Sequence, residues 1–90
     1  MEQRVCVIFN GNVQGVGFRY TARNMAHRYS IVGYVKNLTS GAVEVTAEGD
    51  HGQLAQFIEE IEREMAGFIA SRSVHWAEPT GEFQSFAVRF

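Results

Sequence analysis

The chain has 90 residues, 46% of them hydrophobic and 20% charged, with a formal charge of −2; this is the composition of an ordinary globule with room for one core, so residues 1–90 are expected to form a single domain. A balance so close to neutral argues against a nucleic-acid or membrane-surface binder, either of which needs a basic face. The single cysteine, Cys6, excludes an intramolecular disulfide and a thiolate zinc cluster, and the absence of a long apolar run or a secretory pattern makes a cytoplasmic location the expectation, with the Asn37-Leu38-Thr39 glycosylation triplet coincidental.

Along the chain, Arg4 to Asn10 alternates Val5, Val7 and Phe9 against Cys6 and Ile8, the period of a strand. Gly11 to Phe18 is a glycine-punctuated loop. Phe18, Ala22, Met25, Ala26 and Tyr29 then recur at helical spacing, predicting a helix over Phe18 to Tyr29. Ile31 to Asn37 reads as a second strand. Thr39-Ser40-Gly41 is turn chemistry, and Ala42 to Glu48 alternates Val43, Val45 and Ala47 against Glu44, Thr46 and Glu48, predicting a hairpin with one wet face.

Asp50 opens a second helix as N-cap, with Gln53 at the reciprocal capping-box position. Leu54, Phe57, Ile58, Ile61 and Met65 form its buried stripe, Glu59, Glu60, Glu62 and Glu64 its solvated side, and Gly67 its end. A fourth strand is expected over Ser71 to Ala77, then a turn at Pro79-Thr80-Gly81. Ser85 to Phe90 reads either as a last short strand or as an extended tail. The order β-α-β-β-α-β predicts a ferredoxin-like α+β sandwich, with both helices on one face of an antiparallel sheet.

The loop G-N-V-Q-G-V-G-F-R, Gly11 to Arg19, carries the chemistry. Glycines at 11, 15 and 17 tolerate positive φ and let the backbone curl close to a ligand. Amides exposed where a helix starts are donors without acceptors, and the helix dipole there favours negative charge. Arg19 would be mildly disfavoured in that first turn unless an anion compensates it, and its planar fork suits phosphate oxygens. In the predicted topology the end of strand two, Gly33-Tyr34-Val35-Lys36-Asn37, can reach the same edge, so that Arg19 and Asn37 face one pocket.

Other phosphate chemistries lack their residues. A cysteine-phosphatase loop needs Arg six positions after Cys6, where Asn12 stands; a P-loop closes in Gly-Lys-Ser/Thr, whereas this one closes in Phe18-Arg19; an Arg-His-Gly triplet is absent. His27, His51 and His75 share no ligand spacing. Lys36 reads as a solvated strand residue, Tyr34 and Trp76 as packing residues, and Cys6 as a small hydrophobe on the open sheet face. An RNA-binding sheet wants exposed aromatics on strands one and three, where Cys6, Ile8, Glu44 and Thr46 stand instead.

The run Gly11 to Arg19, the run Gly33 to Asn37, and the segment Ser40 to Val45 with Glu48-Gly49 together resemble the acylphosphatase family over essentially the whole chain. The resemblance implies a ferredoxin-like enzyme that hydrolyses small acyl phosphates to carboxylate and inorganic phosphate, with no metal and no cofactor. By motif, Arg19 would bind the phosphate together with the loop Gln14, Gly15, Val16, Gly17 and Phe18, and Asn37 would hold the attacking water. Gln14 offers its side chain either to substrate or to the loop itself. Expected partners are the small-molecule acyl phosphate and inorganic phosphate as product and inhibitor, with no nucleic acid and no membrane, the protein acting as a monomer. Leu38, where many animal members carry Thr, and Gly17 before Phe18 depart from the animal pattern. The V-Q-G-V-G-F-R run also resembles the acylphosphatase-like module of hydrogenase-maturation carbamoyl transferases, but a chain of 90 residues with one cysteine fits the free-standing enzyme better.

The chemistry suits so sparse a site. Neither motif contains a histidine, thiol or carboxylate, hence no evident acid, base or covalent nucleophile. A carboxylate leaving group, whose conjugate acid has a pKa near ~4, needs no protonation to depart, unlike an alkoxide.

Overall fold

Alternating burial in β1 (Glu2–Gly11) sets the molecule's two sides: Val5, Val7 and Phe9 are fully buried, while the residues between them are only partly covered. The computed structural model describes every residue from Met1 to Phe90. After β1 come α1 (Phe18–Ala26), β2 (Ile31–Asn37), β3 (Val43–Asp50), α2 (His51–Glu64), β4 (Ile69–Ala77) and β5 (Phe86–Arg89). The strands form one sheet in the order β4-β1-β3-β2-β5. One core joins Val5, Val7, Phe9, Val35, Val43, Val45 and Ala47 of the sheet to Phe18, Ala22 and Met25 of α1 and Leu54, Phe57 and Ile61 of α2. Both helices therefore cover the same face, the ferredoxin-like α+β arrangement.

The sheet is mixed where an antiparallel one was expected. β5 pairs in parallel with β2, Gly33 with Phe86 through Lys36 with Arg89. Four residues are too few to carry a period-2 signal, and their partner lies some fifty positions away, beyond any local pattern. β4 starts two residues earlier than expected, because a register shift at Asn10/Gly11 lets Gly11 pair with Ile69.

Helix α1 stops at Ala26, short of the expected Tyr29. The chain tightens there into i→i+3 bonds, Arg28 N–H to Met25 O and Tyr29 N–H to Ala26 O. Tyr29 still packs edge-on against Phe57, and its hydroxyl donates to Glu60. Asp50 caps α2, accepting from the amides of Gly52 and Gln53 at 3.0 and 3.3 Å. The reciprocal half of the capping box is not made: Gln53 Oε1 accepts from Ser30 N–H instead, tying α2 to the α1–β2 connection. Nor is the glutamate side of α2 merely solvated, since Glu60 pairs with Arg28 and Glu62 with Arg72, each at 2.7 Å.

The hairpin's expected wet face is covered. Thr46 and Glu48 are 1% and 4% exposed, because the segment between β4 and β5 crosses the open side of the sheet. Glu48 accepts from Thr80 N–H, Thr80 Oγ1, Gly81 N–H and Arg4, all within 3.0 Å, and Phe83 rests against the Tyr34 ring. Polar residues can be buried in this way only when each lone pair finds a donor.

Candidate active site

The loop between β1 and α1 is held at both ends. Asn12 N–H donates to Phe68 O at 2.9 Å, and Phe18, 2% exposed, stacks its ring at 5.3 Å from that of Phe9. Val13 is fully buried beneath the loop. Between these anchors Gly15 and Gly17 adopt φ of 76° and 77°, left-handed conformations that a side chain would resist. Nothing stands within 4 Å of where a Cβ would sit on either residue. Backbone conformation, not crowding, is what asks for glycine here.

That curl has an electrostatic consequence. Helix α1 makes its first intrahelical bond from Thr21 N–H to Gly17 O at 3.0 Å, and Gly17 supplies no capping side chain. The backbone amides from Val13 through Tyr20 consequently donate to no other group of the protein. Unpaired amides at a helix start, with no acidic residue in the first turn, leave a site of positive potential.

Arg19 adds a full charge. Arg4, Arg28 and Arg72 each pair with a glutamate, but Arg19 pairs with no carboxylate. Its guanidinium instead lies under the ring of Phe90, 4.7 Å from the centroid. Asn37 ends β2, paired across the sheet with Val43, and reaches the same place. Val13, Gly15, Gly17, Phe18, Arg19, Tyr20 and Asn37 line one concavity of about 120 Å³. No histidine, thiol or carboxylate lines it.

Of the residues singled out in the sequence, Arg19, Asn37, Gly15, Gly17 and Phe18 share this concavity, and half-buried Val16 packs against the core. The Gln14 side chain turns away from it, toward the turn between β2 and β3. Its Nε2 donates to Leu38 O at 2.8 Å and Ala42 O at 2.9 Å, partners that are neither the substrate nor the β1–α1 loop itself. Gln14 can face a ligand only through its amide. Tyr20 and Phe90 were not singled out, and both are at the site. Tyr20 is 47% exposed; the sequence signal it offers is an aromatic directly after Arg19, off the apolar helical spacing of Phe18, Ala22 and Met25. A larger groove between α2 and β4 contains Arg72, but Glu62 already neutralises that cation.

Fold and concavity together make a small α+β protein with a cationic mouth that offers backbone donors and no nucleophile. The acylphosphatase family model matches residues 5–88. An acylphosphatase of Methanospirillum hungatei is 45% identical over 76 residues, which span 84% of each chain. The crystal structure of acylphosphatase from Bacillus subtilis superposes with a TM-score of 0.87 at 29% identity, over 98% of this chain and 99% of that one. Full-length HypF in its phosphate- and nucleotide-bound form matches at a TM-score of 0.84 and 29% identity, the whole of this chain corresponding to 12% of that protein. The chain belongs to the acylphosphatase family, enzymes that hydrolyse acyl phosphates.

Proposed function

We propose that the concavity between the β1–α1 loop and the end of β2 is the catalytic site, and that it hydrolyses small acyl phosphates without a metal. One observation carries this reading: Arg19 and Asn37, far apart in sequence, line a single mouth with unpaired backbone amides and no acid, base or thiol. The phosphoryl group sits on the amides of Gln14 to Phe18 with the Arg19 fork across its oxygens, where its charge is gathered and held. The Asn37 carboxamide, uncommitted to any other group, orients one water in line with the bond that breaks. The P–O bond to the acyl oxygen cleaves, the carboxylate leaves unprotonated, and water's oxygen becomes the fourth oxygen of inorganic phosphate. With no protein base at hand, water's proton passes to a phosphoryl oxygen of the substrate. The product phosphate occupies the same cradle and inhibits competitively. Residues 1–90 act as one catalytic unit, as a monomer in the cytoplasm, and without nucleic acid; no helix is long and apolar enough to cross a membrane.

The test is purified protein with an aryl acyl phosphate, followed by loss of ultraviolet absorbance, beside an aryl phosphate monoester, each with and without EDTA. Turnover of the acyl phosphate alone, unchanged by EDTA, is expected. Hydrolysis of the monoester overturns the unassisted departure of the carboxylate as the basis of selectivity, and loss of activity with EDTA overturns the metal-free mechanism. Phosphate binding without turnover would make this chain an anion-binding module on the same fold.

A further inference from the structure

We infer that Phe90 is a positioning residue for Arg19: its ring holds the guanidinium plane in the orientation that receives phosphate. The inference rests on the catalytic reading of this concavity and adds a residue to it. Its basis is how a free arginine can be held still. A carboxylate partner would fix the fork, as Glu48 and Glu62 do for Arg4 and Arg72, but would occupy the very N–H donors a phosphate needs and cancel their charge. An aromatic face makes no such demand, since it attracts the flat side of the guanidinium and leaves the in-plane donors open at the edge. The ring of Phe90 lies 4.7 Å from the Arg19 guanidinium carbon, and Arg19 has no ionic partner.

Phe90 has no other evident role. It is 85% exposed, outside the core, so packing does not explain where its ring lies. The parallel strand β5 delivers it there: the last β2–β5 pair is Lys36 with Arg89, so the next residue emerges beside Asn37. Phe90 and Asn37 accordingly share the walls of a second concavity, with Lys36 and Leu38 to Ser40, that adjoins the first.

A double-mutant cycle on inorganic phosphate binding tests this. Phe90→Ala and Phe90→Leu should each weaken phosphate binding about 2–5-fold, the worth of an exposed cation–π contact, and raise KM more than they lower kcat. Phe90→Tyr and Phe90→Trp, which keep the ring, should recover most of that affinity. In an Arg19→Ala background, Phe90→Ala should change nothing further. Equal phosphate affinity in wild type and Phe90→Ala overturns the inference, as does Phe90→Leu matching wild type, or an undiminished Phe90 effect without Arg19. Wild-type protein that binds phosphate but leaves acyl phosphate intact overturns the catalytic reading alone, and the binding cycle still decides the role of Phe90.

Discussion

Gln14 and Leu38 are joined by a 2.8 Å hydrogen bond, side-chain Nε2 to backbone carbonyl, and the same Nε2 donates to Ala42 O at 2.9 Å. This carboxamide ties the β1–α1 loop to the turn that follows Asn37. The two halves of the site, one on each side of that tie, are thereby fixed to each other. Leu38 N–H donates in turn to Ala42 O, closing the turn on itself. Gln14→Ala would remove one of two donors from each carbonyl, which keep Gly41 N–H and Leu38 N–H, at a cost of about 1 kcal/mol. Turnover should fall roughly 10-fold, because Asn37 loses its fixed distance from the phosphate, while phosphate inhibition moves little. Steady-state kinetics beside thermal unfolding check this; wild-type kcat in a destabilised Gln14→Ala protein would separate the tie from catalysis.

Arg19 carries the only full positive charge lining the mouth. Arg19→Ala should lower turnover by on the order of 10³-fold, by analogy with arginine stabilisation of phosphoryl transfer, and weaken phosphate inhibition strongly, leaving the loop amides to bind the anion at high phosphate. Arg19→Lys keeps the charge but not the planar fork and should recover little of the loss. Folding should be untouched or slightly improved in Arg19→Ala, because the cation sits unfavourably in the first turn of α1. Parallel measurement of kcat/KM and the unfolding midpoint gives the answer. Arg19→Lys with near wild-type activity would reduce the role of the fork to that of a point charge.

Asn37 should behave differently from Arg19. If its carboxamide orients water and does not hold the anion, Asn37→Ala loses most turnover while phosphate inhibition stays nearly intact. Asn37→Asp is the sharper variant, because a carboxylate at this mouth would repel the phosphoryl group and abolish both. Activity and phosphate affinity lost together in Asn37→Ala would move Asn37 from the water to the cradle.

The physical origin of each feature decides how far the sequence revealed it. The spacing of Phe18, Ala22 and Met25 marked the buried face of α1, because a helix writes its period into neighbouring residues. Arg19 and Asn37 stood out since each lies in a short run that resembles a motif of the family. Phe90 did not, because its role depends on β5 pairing with β2, a long-range event that four residues cannot announce. The alternation of Glu44, Thr46 and Glu48 was legible as a face distinct from the core but gave no sign that Thr80, Gly81 and Phe83 fold back over it. Gln14 was ambiguous for a related reason: a carboxamide's partners are set by whichever carbonyls the fold brings near.

Glu48 gives a stability prediction at the end of the sheet away from the site, where it pairs in register with Arg4. Burial alone would push its carboxyl pKa up, but hydrogen bonds from the amides of Thr80 and Gly81, the Thr80 hydroxyl and Arg4 outweigh that and lower it from 4.5 to about 2. The folded state therefore favours the charged form more than the unfolded chain does. The stabilisation this supplies, on the order of 3 kcal/mol, is complete above the ordinary pKa and fades as pH falls from 4.5 toward 2. Urea midpoints should drop steeply across that window in wild type. Glu48→Gln should be less stable at neutral pH, because a carboxamide offers one acceptor oxygen where Thr80 and Gly81 present several donors, and its midpoint should be flatter below pH 4.5. Turnover at neutral pH should survive in the folded fraction, since Glu48 does not line the mouth. A wild-type midpoint unchanged across the acid window would mean that the bonds to Glu48 do not hold the segment between β4 and β5 against the sheet.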